Sequence, residues 1–291
     1  MMQEVFTELP WLLYTCLLTL GLLVGSFLNV VIYRLPLMME TRWRSDCCEL
    51  LEVEKDKPGD PLTLATPNSH CPHCQSAIKP WHNIPVISYL LLGGRCANCS
   101  EKISVRYPII ELITGLLTLA LGFIFAPSLA LVGAILLTWS LIALTMIDID
   151  HQLLPDDITL PLLWLGLALN TMGAFVSLQD AVLGAMFGYL ILWSVYWLFK
   201  LVTGKEGMGY GDFKLLAALG AWLGWQALPL IILLSSLVGA VVGIALMIIK
   251  RRGKEIPIPF GPYLAAAGWI SLLWGEKILA AYLGTTGTIS P

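Results

Sequence analysis

The sequence predicts an all-α polytopic membrane protein with about eight transmembrane helices and a small cysteine-rich domain between the first two. Three observations lead to this prediction: 57% of the residues are hydrophobic, only 13% are charged, and the apolar residues occur in long runs. Soluble domains usually carry about 25% charged residues, so the composition argues against a soluble protein. The net charge of -3 is too small to indicate a nucleic-acid partner.

Eight apolar runs are candidate spans, because a helix needs about 20 apolar residues to cross the hydrocarbon core of a bilayer. They cover residues 11–33, 108–126, 128–147, 158–175, 180–200, 213–225, 228–249 and 259–275. The sixth run is short and begins directly after Asp212. The lipid bilayer is therefore the first partner that the sequence predicts.

Lysine and arginine residues indicate how these runs cross the membrane. Nine of the seventeen lie in the hydrophilic segment 34–107, and others follow the fifth and seventh runs, whereas three short gaps contain none. Because basic loops stay in the cytoplasm, we expect segment 34–107 and the loops 148–157 and 200–212 on the cytoplasmic side, and both termini outside. This division gives a first transmembrane helix at 1–33, a cytoplasmic four-cysteine domain at 34–107 and a seven-helix membrane domain at 108–291.

Four of the seven cysteines form a paired pattern in the hydrophilic segment. "CPHC" contributes Cys71 and Cys74, and "CANC" contributes Cys96 and Cys99, with 21 residues between the pairs. This spacing is close to that of a zinc ribbon, and four thiolates suit a closed tetrahedral Zn²⁺ site with no vacant position for chemistry. We therefore expect a zinc-ribbon-like domain in which a structural zinc ion staples a segment too small to build much core.

Five aspartates stand at the ends of apolar runs. Asp148, Asp150, Asp156 and Asp157 follow the third run in "IDIDHQLLPDDITLP", and Asp212 directly precedes the sixth in "GMGYGDFK". Carboxylates at membrane depth are costly and usually functional, whereas solvated carboxylates at helix ends are common. The second interpretation suits Asp150 and Asp157 better, and Asp156 or Asp157 could also cap the fourth helix.

Asp148 and Asp212 are the predicted catalytic pair, because each lies at the cytoplasmic end of a predicted helix. Two carboxyl groups a few ångströms apart cannot both ionise, so one keeps a proton and the other acts as a base on a water molecule. Gly209 and Gly211 are predicted to form a supporting loop, in which an unusual backbone conformation lets a substrate strand come close.

Several blocks of the sequence together resemble the type 4 prepilin peptidases, which are enzymes of the bacterial inner membrane. The resemblance runs nearly from end to end, although no single block would be specific. The blocks are "GSFLNVVIYRLP", the segment from "CPHC" to "CANC", "RYPIIELITG", "IDIDHQLLPDDITLPLLW", "GKEGMGYGDFKLLAALGAW" and "PIPFGPYLAAAGW".

The resemblance implies a Gly-x-Gly-Asp intramembrane aspartic protease whose catalytic pair falls on Asp148 and Asp212. The implied substrates are type IV prepilins and type II secretion pseudopilins, which lose a short basic leader at the cytoplasmic face of the membrane. The implied second reaction is N-methylation of the new terminal residue, with S-adenosylmethionine as methyl donor. The residues contain no glycine-rich nucleotide loop of the usual kind, so the site of the methyl donor is not predicted.

Two other functions stay open at this point. A non-enzymatic scaffold of a secretion machine would keep the zinc domain and bind pilins, but it would not need two facing carboxylates. A proton-coupled transporter would use Asp148 and Asp212 as relay groups, although such groups belong nearer to mid-membrane.

The roles of two single residues are open as well. Arg34 is most simply an interfacial anchor, and Glu111 either orders the site, contacts the substrate or starts a helix at the interface.

Overall fold

The computed structural model describes residues 9–53, 62–250 and 259–283, and most of these residues are helical. In chain order the helices are α1 (Pro10–Leu50), α2 (Ile87–Leu91), α3 (Arg106–Ile124), α4 (Leu129–His151), α5 (Asp156–Thr171), α6 (Leu178–Thr203), α7 (Tyr210–Leu223), α8 (Leu228–Lys250) and α9 (Gly261–Leu283). Short 3-10 turns at Pro80–Asn83 and Trp225–Ala227 precede α2 and α8. Within the described ranges β structure is limited to two isolated bridges, so the predicted all-α class is confirmed.

The eight predicted spans all fall on helices. In the part of the chain that the structure describes, six helices are long and apolar enough to cross a membrane: α1, α3, α4, α6, α8 together with the turn before it, and α9. The other two, α5 and α7, have 16 and 14 residues and are shorter than a spanning helix requires. The polytopic architecture is thus confirmed. The predicted fourth and sixth spans, however, form helices that are too short to cross the membrane in the ordinary way.

The first helix is longer than the sequence predicts, because α1 continues past residue 33 to Leu50. Arg34 consequently lies in the middle of this helix and is buried. Its guanidinium donates hydrogen bonds to the carbonyl oxygens of Thr63 at 2.9 Å and Pro67 at 2.6 Å. The interpretation of Arg34 as an interfacial anchor was therefore wrong: a buried guanidinium needs acceptors, and these backbone carbonyls supply them.

The chain divides into two units, residues 1–127 and 128–291. In the first unit α1 packs along α3, and glycines permit the close approach. A Cβ atom added at Gly25 would lie 2.7 Å from the Cα atom of Glu111, and one at Gly21 would lie 2.8 Å from the Cβ atom of Thr118. Both distances are shorter than real contacts, so these two glycines set the spacing between α1 and α3.

In the second unit α7 occupies the centre and packs against α5, α6 and α9. Its side chains from Phe213 to Trp222 are nearly all buried, which is the pattern of a helix enclosed by protein on every side. Gly184 of α6 and Gly220 of α7 meet backbone to backbone, because a Cβ atom on either would collide with the carbonyl oxygen of the other. This enclosure explains how a helix of 14 residues fits a membrane domain without crossing lipid alone.

Candidate active site

Asp148 and Asp212 are both buried in the second unit, with relative exposures of 5% and 6%. Asp148 lies in the last turn of α4, and Asp212 lies in the first turn of α7. The Oδ2 atom of Asp148 accepts a hydrogen bond from the N–H of Gly261 at 3.0 Å. The Oδ2 atom of Asp212 accepts one from the N–H of Gly209 at 3.3 Å. Each carboxyl group is thus fixed by a backbone N–H at the beginning of a helix, that of α9 for Asp148 and that of α7 for Asp212.

Leu154 packs against Gly211 and Gly261, the glycines that lie beside the two carboxyl groups. Its side chain packs where Gly211 and Gly261 have none: a Cβ atom at Gly211 would lie 2.7 Å from the Leu154 Cβ, and one at Gly261 would lie 3.1 Å from its Cδ2. Gly261 donates to the Asp148 carboxylate and Gly211 directly precedes Asp212, so Leu154 lies beside the surroundings of both aspartates. Both predicted residues lie at one end of the second unit, whereas the sequence gave no role to Leu154 or Gly261.

The two glycines of "GYGD" act differently from the prediction. Gly209 has φ -82° and ψ 152°, a conformation open to any residue, and Gly211 lies inside α7. Neither has a positive φ. A Cβ atom at Gly209 would meet nothing nearer than 3.8 Å, whereas one at Gly211 would collide with Leu154. Gly211 is therefore needed for close packing, and the expected unusual backbone conformation was wrong.

The other three aspartates of the "IDIDHQLLPDD" block differ from the pair in burial. Asp150, Asp156 and Asp157 are exposed. Both carboxylate oxygens of Asp156 lie 2.7 Å from the Nζ atom of Lys214, which ties the start of α5 to α7. No side chain caps α5, whose N-cap residue is Pro155. The predicted capping role was therefore wrong for Asp156, because its carboxylate pairs with a cation on the neighbouring helix instead.

A cluster of aromatic and charged residues supports the loop before Asp212, and the sequence analysis missed it. Lys200 at the end of α6 donates to Glu206 at 2.8 Å and to the hydroxyl of Tyr196 at 3.2 Å. The ring of Tyr196 is 5.2 Å from that of Tyr210 and 5.6 Å from that of Phe213. The Lys200 ammonium holds the pKa of Glu206 below its ordinary value. These contacts tie residues 204–209 to α6 and so position the start of α7.

The four predicted metal ligands come together in the first unit. The sulfur atoms of Cys71, Cys74, Cys96 and Cys99 lie within 4.8 Å of one another, and those of Cys71 and Cys99 are 3.8 Å apart. With a zinc–sulfur bond of about 2.3 Å, the sulfurs of a tetrahedral site lie about 3.8 Å apart. The spacing therefore fits a single tetrahedral ion.

Both cysteine pairs lie in turns of the same geometry. The N–H of Cys71 donates to the carbonyl of Ser76 at 3.0 Å, and the N–H of Cys96 donates to that of Glu101 at 2.8 Å. Antiparallel bridges close both turns, His70 with Ala77 and Arg95 with Lys102. Equivalent positions differ by 25 residues throughout, as 71 and 96 or 76 and 101 show. This repeat escaped the sequence analysis because the two turns share little beyond their cysteines.

The protonation of the cluster also indicates a cation. Hydrogen bonds from Ser76 and Asn98 lower the pKa of Cys74 to about 5, which favours the thiolate that binds metals. A backbone hydrogen bond at Glu101 lowers the pKa of Cys99, but desolvation and the neighbouring sulfurs outweigh it and raise the pKa to about 12. Four crowded sulfurs cannot all become thiolates without a positive charge among them, and a bound divalent metal ion would supply that charge.

Comparisons with known protein families match both halves of the chain. Residues 19–125 match the bacterial peptidase A24 N-terminal domain, and residues 135–244 match the type IV leader peptidase family. The first match contains the four clustered cysteines, and the second contains Asp148 and Asp212. No solved structure matches the chain.

Curated relatives are similar over almost the whole length. A prepilin leader peptidase/N-methyltransferase of Stutzerimonas stutzeri is 58% identical over 280 residues, which cover 96% of this chain and 97% of the relative. Proteins of the same name from Aeromonas hydrophila and Legionella pneumophila are 55% and 46% identical over 284 residues, covering 97% and 98% of this chain and 98% and 99% of those relatives. The chain therefore belongs to the type IV leader peptidase family.

Proposed function

We propose that this chain removes the leader from type IV prepilins and type II secretion pseudopilins and then N-methylates the new terminal residue. The observation that carries the peptidase half is the buried pair, Asp148 and Asp212, each held by a backbone N–H at the same end of the second unit. Relatives that match nearly the whole chain are named prepilin leader peptidase/N-methyltransferase, which supports both activities.

The proposed cleavage uses the two carboxyl groups alone. One carboxylate takes a proton from a water molecule while the water oxygen attacks the carbonyl carbon of the scissile peptide bond. The other carboxyl group gives its proton to the carbonyl oxygen, which produces a tetrahedral diol. The C–N bond then breaks as the first carboxyl group gives the proton it took from water to the nitrogen, while one hydroxyl of the diol returns a proton to the second carboxylate, leaving a carboxylic acid on the leader and a free amine on the pilin. Burial matters here because it keeps one of the two groups protonated.

The four cysteines would hold a structural Zn²⁺ ion, whose fit rests on the sulfur spacing and the crowding of thiols described above. The ion would fix the two turns at residues 70–77 and 95–102 relative to each other, because four protein ligands leave no position for a reacting group. S-adenosylmethionine is the proposed methyl donor, since a methyltransferase needs one and the relatives carry that name. We assign no residues to its binding.

The location proposed for this chain is the bacterial inner membrane, with the active site at the cytoplasmic face. The apolar helices support a multi-pass membrane protein, and the basic segment 34–107 supports the orientation. We keep the division of the chain into three functional parts as a proposal. These parts are a first transmembrane helix up to residue 33, a cytoplasmic four-cysteine domain up to residue 107 and a membrane-embedded protease domain after it.

Cleavage of a purified prepilin by the purified protein tests the proposal. Asp148→Asn and Asp212→Asn should each abolish cleavage, while the exposed neighbour Asp150→Asn should retain it and serve as the control. All three variants should keep their metal and their thermal stability. Cleavage by Asp212→Asn at the wild-type rate would leave the scaffold or transporter interpretation standing. Methylation of a precleaved pilin by Asp212→Asn would show that the second activity does not need the pair.

A further inference from the structure

An exposed apolar segment lies between the two cysteine turns. Residues 78–92, here called the apolar segment, comprise the 3-10 turn at Pro80–Asn83, a tight turn at 85–87 and the short helix α2. Leu90 and Leu91 are 71% and 82% exposed. Other large apolar side chains of the segment are also exposed: Ile78, Trp81, Ile84 and Ile87. So many exposed apolar side chains in one short segment would be costly in water.

A buried carboxylate fixes the level of this segment relative to α3. The N–H of Val86 donates to the Oε2 atom of Glu111 at 2.8 Å, and Glu111 is buried. Glu111 is the sixth residue of α3, which has 19 residues. At 1.5 Å per residue it lies about 7.5 Å along the axis from the helix start. This contact gives Glu111 a role that the sequence left open.

The length of α3 then places the segment at the membrane. A helix of 19 residues is about 28 Å long, which is barely enough for a hydrocarbon core of about 30 Å. Nearly all of α3 must therefore lie in the core, and Arg106 and Tyr107 at its start occupy the interface. The N–H of Val86 is hydrogen-bonded to Glu111, which lies more than one helical turn after the start of α3. The apolar segment therefore reaches at least the depth of the lipid headgroups.

The backbone at this point is turned back sharply. Val86 has φ 59° and ψ -48°, and the N–H of Ile87 donates to the carbonyl of Pro85, which is the arrangement of a classic γ-turn. Such turns are rare and strained, above all for a β-branched residue. The Glu111 carboxylate accepts the N–H at the apex of the turn. Ile84, before the turn, and Ile87, after it, are both exposed.

The charges of the surrounding chain suit a lipid surface. Residues 61–100 contain no aspartate or glutamate, whereas Lys79 lies near the start of the apolar segment and Arg95 follows its end, and both are exposed. The ammonium of Lys79 lies 5.5 Å from the ring centre of Trp81. Cations beside a tryptophan and exposed leucines are typical of segments that lie in the interface of a bilayer with anionic lipids.

We propose that the apolar segment is an interfacial element that dips into the lipid leaflet on the side of the cysteine turns. The exposed side chains from Trp81 to Leu91 contact acyl chains, and Lys79 and Arg95 contact phosphate groups. The lipid-facing surface of the first unit thereby extends beyond α1 and α3 to the metal-binding part of the chain.

Depth-dependent fluorescence quenching tests this placement in the full-length protein. A bimane label is attached to Leu91→Cys in a background carrying Cys16→Ser, Cys47→Ser and Cys48→Ser, and the protein is reconstituted in nanodiscs that contain anionic lipid. Nitroxide lipids labelled near the headgroup should quench this label at least threefold more than a label at Glu101→Cys, which lies exposed on the second cysteine turn. Aqueous iodide should show the opposite order.

Two results would overturn the proposal. Equal quenching of both labels by lipid and by iodide would place the segment in water. Protection of the Leu91 label from both quenchers would show that protein, such as a second copy of the chain, covers the surface. Zinc content of one ion per chain in each labelled protein establishes that the cysteine turns are intact.

The Glu111 contact provides a second, independent test. Glu111→Gln keeps an oxygen acceptor for the Val86 N–H, so lipid quenching of the Leu91 label should stay at its original level. Glu111→Ala removes the acceptor, and quenching should fall toward the level of the Glu101 label. Equal quenching in the Ala and Gln variants would refute the role of Glu111 in setting the depth. If the Ala variant does not fold, the comparison of Leu91 with Glu101 alone decides.

Discussion

The carboxyl group of Asp148 is held by a residue 113 positions away in the chain, the N–H of Gly261. Gly261 also has no room for a side chain, since a Cβ atom there would lie 2.6 Å from the Oδ2 atom of Asp148. The first residue of α9 is thus part of the site at the level of single atoms. Its only signal in the sequence was its place in "PIPFGPY", which the family resemblance marked without giving it a role.

Substitution of Gly261 should therefore impair cleavage more than substitution of Gly209. Gly261→Ala forces a methyl group against the Asp148 carboxylate, and overpacking costs about 1–3 kcal/mol, so we expect kcat/KM to fall roughly 10- to 100-fold. Gly209→Ala is the matched control, because its nearest atom would be 3.8 Å away, and it should stay within about threefold of wild type. Steady-state cleavage of a prepilin measures both, and equal effects would contradict the packing argument.

The ion pair of Asp156 and Lys214 joins the start of α5 to α7 through two single side chains. Its members are 52% and 29% exposed, and pairs of this kind contribute about 0.2–1 kcal/mol. We expect Lys214→Met and Asp156→Asn each to lower thermal stability slightly, and the double variant to cost no more than either alone. A double-mutant cycle of unfolding temperatures measures the coupling. Fully additive losses would show that the pair contributes nothing to stability.

At the scale of elements, α7 shows how a short helix can carry Asp212, the candidate catalytic residue. Its 14 residues are enclosed by α5, α6 and α9, so its polar first turn lies at the end of the helix bundle while its remainder is core. The residues from Lys200 to Phe213 then fix that first turn through an ion pair and ring contacts. Periodicity predicted the helix, but its enclosure depends on the packing of Gly184 against Gly220, which no local pattern reveals.

The cysteine turns are a second element whose geometry leads to a prediction. The purified protein should contain about one zinc ion per chain, measured by mass spectrometry of the metal. Cys71→Ser removes one of four ligands and should lose most of the zinc, whereas Cys47→Ser should keep it, because Cys47 lies on α1 and outside the cluster. Full zinc content in Cys71→Ser, or zinc loss in Cys47→Ser, would contradict the assigned ligand set.

At the scale of the whole molecule, the distribution of Lys and Arg predicts the orientation. Cys47, which is exposed near the end of α1, should react with a membrane-impermeant maleimide only from the cytoplasmic side. Met172→Cys, at an exposed position after α5, should react only from the opposite side in a background of Cys16→Ser, Cys47→Ser and Cys48→Ser. Labelling of intact cells and of inverted vesicles measures both. Reaction of the two positions from the same side would refute the predicted topology.

The sequence alone predicted the all-α membrane architecture and the clustering of the four cysteines, which the structure confirms, and the catalytic role of Asp148 and Asp212, which stays a prediction. These follow from composition, from spacing along the chain and from family blocks, which are local properties. It did not determine the length of α1, the acceptors of Arg34, or the partner of Glu111. The partners of Arg34 and Glu111 were missed for the same reason. A buried polar group bonds to whichever backbone atoms the fold brings beside it, and the spacing of residues along the sequence does not show which atoms these are.

Only the tertiary structure decided what Gly211, Gly261 and Leu154 do. The sequence predicted an unusual backbone conformation at Gly209 and Gly211 and gave Gly261 no role, whereas the folded chain uses Gly211 and Gly261 as places without side chains where Leu154 and the Asp148 carboxylate fit. Local residue type predicts the conformations that a glycine is able to adopt. The atoms that occupy the space beside it come from helices far away in the chain, so close packing can be known only once those helices are assembled.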